Sequence, residues 1–141
     1  MKTALSLSTP EEWNETIKLG ADFREIRIDL IKDTSSENEL LKLCKEKNDD
    51  IPCIATIRSR KEGGSFSGDL EEWKTAIEPW INCADYIDIE RDFSIYAQNI
   101  KKTGKKIIAS VHLGYMPGNE ELEKLKKYLW EKLKKTRRKK F

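Results

Sequence analysis

The residues of this chain that could do chemistry lie at the ends of short strand-like runs. Glu25 and Arg27 are two residues apart in an alternating run, so in an extended strand their side chains project to the same side. This carboxylate and guanidinium could form a structural salt bridge, or they could orient the hydroxyl and carboxylate groups of a ligand. Arg58, at the end of the next run, would add a second guanidinium. Two converging arginines suit a small anionic ligand.

The single histidine of the sequence, His112, ends the strand-like run that starts at Lys106. Histidine is the usual general base near neutral pH, although a lone histidine at a strand end often has only a structural role. As a base it would need a carboxylate to fix its tautomer, and Glu62, in a glycine-containing loop, is the candidate. From the residues alone, both the structural and the catalytic interpretation stay open.

The cysteines argue against a metal centre. Cys44, Cys53 and Cys83 are widely spaced, form no C-x-x-C pair and are accompanied by one histidine, so we do not expect a zinc site. Their neighbours in sequence are mostly apolar or helical, and we therefore expect buried, reduced thiols.

Length and composition indicate one globular domain. The chain has 141 residues, of which 37% are charged and 38% hydrophobic, which is enough for an ordinary core and unlike a disordered chain. No apolar run approaches the roughly 20 residues that cross a bilayer, and the first residues are too polar for a signal peptide. We therefore expect a cytoplasmic protein.

Five strand-like runs alternate with helix-like segments along the chain. This order predicts a parallel sheet with helices packed outside it, and right-handed crossovers would bring the carboxyl ends of all strands to one side. Glu25, Arg27, Arg58 and His112 would then share a site. The strand-like runs are 5–8, 23–31, 51–58, 86–90 and 106–112.

Three local expectations concern the helices. We expect Trp13 and Ile17 on the inner face of the first helix, because they are four residues apart. Ser35 or Ser36 would cap the second helix. Pro79, inside the apolar pattern of the third helix, predicts a kink or an early end.

The row Glu25, Arg27 and Asp29 distinguishes between architectures. In an antiparallel sheet such a row would simply face water. In a doubly wound sheet helices cover both faces, whereas the mouth of a barrel can hold charges that pair with one another and with substrate. We therefore predict an α/β fold, a partial (β/α)8 TIM-type barrel of five parallel βα units over residues 1–118, followed by a last helix with a basic tail over residues 119–141.

The basic tail has a net charge of its own. Residues 120–141 contain 10 Lys and Arg against 4 Asp and Glu. The basic block 134–140 could bind polyanions, but Phe141 is the only aromatic residue that follows this block, so there is no stacking platform. We expect a solvated helix end, and we do not expect nucleic-acid binding.

Two motifs carry a family resemblance. They are Glu25-Ile26-Arg27-Ile28-Asp29 and Thr56-Ile57-Arg58-Ser59-Arg60-Lys61-Glu62-Gly63-Gly64. Together they resemble type I 3-dehydroquinate dehydratase, and the segments 86–90 and 109–112 follow in the family's order. The resemblance covers about residues 1–114, which would be the first five βα units of an eight-fold barrel.

The resemblance implies a specific reaction. The family dehydrates 3-dehydroquinate to 3-dehydroshikimate in the shikimate pathway, through a Schiff base between a lysine and the substrate ketone, without a metal or organic cofactor. Glu25, Arg27 and Arg58 would bind the substrate. His112 would be the general base next to the imine, and Glu62 would orient it.

The sequence also departs from the family. The Schiff-base lysine of the family lies on the sixth strand, and we expect this chain to end before it. We expect no substitute from Lys105 or Lys106, because they begin the fifth strand, at the opposite end of the barrel. The chain alone would then be inactive. It would be a truncated or divided dehydratase that needs a complementary barrel fragment, or a ligand-binding half-barrel that self-associates through its open first and fifth strands.

Overall fold

The computed structural model describes the backbone of residues 1–138 and the side chains of residues 1–128 and of Glu131. Within this part of the chain, five strands alternate with five α-helices. The elements are β1 (Ala4–Leu7), α1 (Pro10–Lys18), β2 (Phe23–Arg27), α2 (Thr34–Glu46), β3 (Cys53–Thr56), α3 (Leu70–Ile81), β4 (Tyr86–Glu90), α4 (Ala97–Lys101), β5 (Lys106–Ser110) and α5 (Asn119–Arg138).

All five strands pair in parallel in the order β1-β2-β3-β4-β5. The prediction of five parallel βα units is therefore confirmed. A sequential order is that of neighbouring strands in a (β/α)8 barrel, whereas a doubly wound sheet reverses its order beside the first strand. The carboxyl ends of the strands consequently lie on one side, where the candidate site residues lie.

The core lies between the sheet and its helices. On β2 the side chains of Arg24 and Ile26 are buried on the helix side, while Glu25 and Arg27 are only half-buried, because successive side chains of a strand point to opposite faces. The sheet therefore has an apolar face against the helices and a polar inner face. Fully buried apolar residues of the core are Ile26, Leu40, Cys53, Ala55, Trp73, Trp80, Ala84 and Ile87.

The inner face of α1 differs from the expectation. Trp13 is buried, but Ile17 is 50% exposed, and Thr16 takes the inner position instead. The reason is Arg24, whose Nε donates to Thr16 Oγ1 over 2.7 Å and whose guanidinium lies 3.8 Å from the centre of the Trp13 ring. The hydrogen bond to the buried Arg24 thus turns Thr16 inward, although the apolar spacing predicted Ile17 on the inner face of α1.

The helix ends also correct two expectations. Asp33, not Ser35 or Ser36, caps α2, since its side chain accepts the backbone N–H of Ser36 over 2.7 Å. α3 continues through Pro79 to Ile81, so the predicted early end at the proline is wrong. Its neighbour Trp80 is fully buried, and this packing holds the last turn against the sheet.

The last helix, α5, begins at Asn119. The side chains of the basic block 134–140 lie outside the described residues. Among the residues that are described, no helix is both long and apolar enough to cross a membrane.

Candidate active site at the carboxyl ends of the strands

Glu25 lies on the inner face of β2 and is bound from both neighbouring strands. Its carboxylate accepts the hydroxyl of Ser6 on β1 over 2.6 Å and that of Thr56 on β3 over 3.1 Å. Arg27, two residues further along β2, forms its ion pair with Asp29 at 2.8 Å. The salt bridge between Glu25 and Arg27 that the sequence permits is therefore not the one that forms. Glu25 keeps a hydroxyl-lined environment.

Asp29 is not part of the strand, because β2 ends at Arg27 and a 3₁₀ turn follows over Ile28–Leu30. The expectation that it continues the charged row is wrong. The turn lets Asp29 accept the backbone N–H groups of Arg58 and Ser65, each over 3.1 Å, besides the side chain of Arg27.

The Asp29 side chain is fully buried. Burial alone would raise the pKa of Asp29, but the hydrogen bonds from Arg27 and from the backbone N–H groups of Arg58 and Ser65 outweigh it and hold that pKa below its usual value. Asp29 is thus an ionised anchor that fixes Arg27 and the loop after β3.

Arg58 joins β3 to the next two strands. It is buried, and its Nη1 donates to Glu90 over 2.8 Å, to Asp88 over 3.4 Å and to the Ser110 hydroxyl over 3.2 Å. Burial opposes the charge of Arg58, but Asp88 and Glu90 more than compensate, so the pKa of Arg58 is raised. Burial also raises the pKa of Asp88, although Ser110 and Arg58 oppose it.

Asp88, Glu90 and Ser110 lie in segments that carry the resemblance, but the sequence analysis gave them no role in the site. The available signal was the alternation over 86–90, which places Asp88 and Glu90 on one side of a strand that ends at Glu90. Both carboxylates are nearly fully buried. They are tolerated there because a guanidinium and hydroxyl groups satisfy them.

The loop after β3 folds back over the site. Ser59 binds Glu90 twice, through its N–H over 3.1 Å and its hydroxyl over 2.6 Å. A side chain at Gly64 would place Cβ only 2.1 Å from the carbonyl oxygen of Arg58, and Gly63 has a φ of 93°. Glycine is therefore required at this turn, which carries Glu62 towards β5.

His112 lies just beyond β5, beside Glu62. One oxygen of the Glu62 carboxylate accepts the backbone N–H of His112 over 2.6 Å and lies 3.1 Å from its Nδ1. The side chain of Glu62 is only 5% exposed, whereas that of His112 is 46% exposed. When Nδ1 carries the proton that it donates to Glu62, Nε2 holds the free lone pair. An oriented, accessible imidazole can act as a base.

The structure therefore brings all five predicted site residues to one side of the sheet. Two of the described lysines can be placed relative to this site. Lys106 begins β5 at its amino end, and Lys61 directs its ammonium group to Asp92 over 3.1 Å. The described part of the chain contains no cluster of three or more His, Cys, Asp or Glu side chains that could hold a metal ion.

Comparison with known proteins identifies the family of this chain. Residues 6–132 match the family model of type I 3-dehydroquinase. The 3-dehydroquinate dehydratase of Methanoregula boonei is 35% identical over 116 residues, which are 82% of this chain and 54% of that protein. A second relative, from Methanospirillum hungatei, is 34% identical over 125 residues, or 48% of its own length. The chain thus spans about half the length of the curated relatives that it matches.

Solved structures give the same result for the fold. The crystal structure of the 3-dehydroquinate dehydratase from Aquifex aeolicus superposes with a TM-score of 0.76 at 29% identity, covering 94% of this chain and 63% of that one. The enzyme from Enterococcus faecalis superposes with a TM-score of 0.78 at 21% identity, covering 94% and 62%, which supports the fold alone. The predicted partial (β/α)8 barrel is confirmed, and the chain belongs to the type I 3-dehydroquinase family.

Proposed function

We propose that the strand-end site binds 3-dehydroquinate and supplies the general base for its dehydration to 3-dehydroshikimate, a carbon–oxygen lyase reaction of the shikimate pathway that leads to aromatic amino acids. The observation that carries this proposal is the contact of Glu62 with Nδ1 of His112 at 3.1 Å, in a chain of the type I family. We place this chemistry in the cytoplasm, within residues 1–118, with residues 119–141 as an appended helix and tail.

The binding groups divide into two sets. Glu25, whose oxygens already accept two hydroxyl groups of the protein, is suited to accept further hydroxyl groups from a polyhydroxylated ring. Arg27 is held by Asp29 and offers its remaining N–H groups. Nη1 of Arg58 is committed to Glu90 and Asp88, so a substrate contact by Arg58 would use Nε or Nη2. The substrate would therefore bind to hydrogen-bonding groups that the protein already holds in place.

His112 is the proposed base at the carbon next to the substrate ketone. Nε2 would remove a proton there, while Glu62 stabilises the imidazolium that forms. The imidazolium would then return its proton to the departing hydroxyl group, which leaves as water. An imine at the ketone carbon makes the C–H acidic enough for this step, because it accepts the electron pair.

We further propose that no lysine of this chain supplies the amine for this imine. The proposal is supported by Lys106, at the amino end of β5, and by Lys61, which pairs with Asp92. Without the imine the rate would fall by orders of magnitude. The chain alone would then be inactive, and a complementary barrel fragment would have to supply the amine.

A second candidate function is ligand binding by a self-associating half-barrel. In the described part of the chain β1 pairs only with β2, and β5 only with β4, which leaves two strand edges. Sedimentation at micromolar concentration tests this candidate. We expect a homo-oligomer, and a monodisperse monomer would contradict it.

Borohydride reduction tests the proposed missing amine. The chain is incubated with 3-dehydroquinate and borohydride, and its intact mass is measured, with a full-length type I 3-dehydroquinate dehydratase as the positive control. We expect an adduct on the control and none on this chain. An adduct on this chain would show that one of its own lysines forms the imine.

A further inference from the structure

A cleft opens between α3 and α4 on the helix side of the sheet. α3 has 12 residues, whereas α4 has five and follows a 3₁₀ segment over Arg91–Tyr96. At a rise of about 1.5 Å per residue, α4 is about 8 Å long and α3 about 18 Å long, so α4 covers only part of its neighbour. The lining of this α3–α4 cleft includes Trp73, Lys74, Ile77, Glu78, Tyr96 and Ile100.

The size of the cleft suits one aromatic ring. Its volume is about 110 Å³, and an enclosed apolar cavity of about 150 Å³ holds benzene. Because the α3–α4 cleft is open to solvent, a ring inside it need not be fully enclosed, and the rest of a bound molecule can extend from the mouth.

The base and walls of the cleft are apolar. Trp73, Ile77 and Ile100 are buried there, and Tyr96 is half-buried. The ring of Trp73 stacks on those of Phe93 and Tyr96, at centroid distances of 5.4 and 5.9 Å and interplanar angles of 10° and 2°. This packing fixes the shape of the cleft before any ligand binds, and its aromatic walls favour an aromatic ligand.

The base of the cleft also contains a hydrogen-bond donor that lacks an acceptor. The side chain of Trp73 is fully buried, and its indole N–H has no partner among the described residues. Trp80 has a second such N–H, but Trp80 does not line the cleft. A buried donor without an acceptor is uncommon, because it has lost its hydrogen bond to water. An oxygen atom at the far end of a bound ring would supply an acceptor for the N–H of Trp73.

Opposite charges lie at the mouth of the cleft. Lys74 and Glu78, one helical turn apart on α3, line it with exposed side chains, and within the described part of the chain neither of them forms an ion pair. The Lys74 ammonium group lies 5.8 Å from the centre of the Tyr96 ring, beside a wall of the cleft. A zwitterionic ligand could therefore place its carboxylate near Lys74 and its ammonium group near Glu78.

We propose that the α3–α4 cleft binds a free amino acid whose side chain is a hydroxylated aromatic ring, as in tyrosine. The ring would pack against Tyr96 and Ile100, and its phenol oxygen would accept the indole N–H of Trp73. The carboxylate and ammonium groups would pair with Lys74 and Glu78 at the mouth. Each polar group of the ligand then meets a complementary group of the protein. The cleft is on the helix side of the sheet, so this site is separate from the strand-end site.

Isothermal titration of the full chain with L-tyrosine tests the proposal. We expect saturable binding. Tyramine lacks the carboxylate and 3-(4-hydroxyphenyl)propionate lacks the ammonium group, and each should bind about threefold more weakly, since an exposed ion pair contributes little. L-phenylalanine lacks the phenol oxygen and should bind about fivefold more weakly. No saturable binding of L-tyrosine, or equal affinity for all four compounds, would overturn the proposal.

A variant that fills the cleft tests where L-tyrosine binds. Asn99 is an exposed residue of α4 that lines the cleft. In Asn99→Trp the larger side chain would occupy the cleft, so L-tyrosine should no longer bind detectably. The matched control is Gln98→Trp, next to it on α4 and not part of the cleft lining, which should bind as the unaltered chain does. Unchanged affinity in a folded Asn99→Trp chain would contradict the assigned site.

A second variant tests the role of the buried indole N–H. Trp73→Phe removes this donor and keeps an aromatic ring at the base of the cleft. The preference for L-tyrosine over L-phenylalanine should therefore disappear. An unchanged preference in a folded Trp73→Phe chain would show that the N–H of Trp73 does not recognise the phenol oxygen.

Discussion

The contacts of Glu90 permit a sharp prediction for the stability of the site. Its buried carboxylate accepts three hydrogen bonds, one from the Arg58 guanidinium and two from Ser59. In Glu90→Gln the negative charge is lost. The new NH₂ group cannot accept a hydrogen bond, so at least one of the donor groups of Arg58 and Ser59 loses its partner. The variant therefore weakens the attachment of β4 to the loop after β3.

The size of the effect follows from these contacts. A hydrogen bond to a charged group contributes about 1.5–3 kcal/mol, and a buried donor left unsatisfied costs about 1–3 kcal/mol. Since Gln keeps one acceptor oxygen, we expect Glu90→Gln to lower the free energy of unfolding by about 3 kcal/mol. Ser59→Ala removes only the hydroxyl contact with Glu90, and we expect a loss of about 1 kcal/mol.

Urea unfolding followed by tryptophan fluorescence measures these differences. The matched control is Asp92→Asn, which breaks the ion pair with Lys61 near the same loop. The two side chains of that pair are 67% and 47% exposed, so the control should cost less than about 1 kcal/mol. If Glu90→Gln and Asp92→Asn were equally stable, the buried network around Arg58 would not hold the loop in place.

Two further substitutions test the outer face and the loop. Arg24 is fully buried and binds Asp49 through two hydrogen bonds of 2.8–2.9 Å, which lower the pKa of Asp49; Asp49→Asn should cost about 2 kcal/mol at neutral pH. The difference in unfolding free energy between the two proteins should shrink as pH falls below about 3.9, the ordinary pKa of Asp. The reason is that a carboxyl group whose pKa is lowered by folding stabilises the fold fully only above its unfolded-state pKa. Urea titrations at neutral pH and below that pKa that gave equal differences would refute this prediction. Gly64→Ala should cost about 2 kcal/mol through the clash with the carbonyl of Arg58, whereas Gly114→Ala, where a Cβ meets nothing within 4 Å, should stay within about 0.5 kcal/mol. Equal melting curves for the two alanine variants would contradict the required turn.

Much of the site could be predicted because side chains alternate between the two faces of a strand. Glu25 and Arg27 share a face on any extended backbone, and alternating strands and helices bring Arg58 and His112 to the same side. The contact between His112 and Glu62 crosses 50 residues. Glu62 was predicted as the partner of His112 because a histidine base needs a carboxylate to fix its tautomer. The structure places the Glu62 carboxylate beside Nδ1 of His112.

The remaining features depend on packing between distant residues. The alternation of Ile28 and Leu30 with charged residues continues past the end of β2, so nothing local marks the 3₁₀ turn that redirects Asp29. Arg24 is charged, and a charge predicts exposure, yet Asp49, 25 residues away, allows it to be buried.

Recognition of 3-dehydroquinate by the strand-end site of this chain can be measured directly. Isothermal titration of the chain with 3-dehydroquinate tests it most directly, with Arg27→Met as the site variant and Lys18→Met, an exposed residue of α1, as the control. We predict saturable binding that Lys18→Met leaves unchanged and that Arg27→Met weakens about tenfold or more, since one charge-assisted hydrogen bond contributes about 1.5–3 kcal/mol. No saturable binding, or equal affinity in the folded Arg27→Met variant, would contradict it.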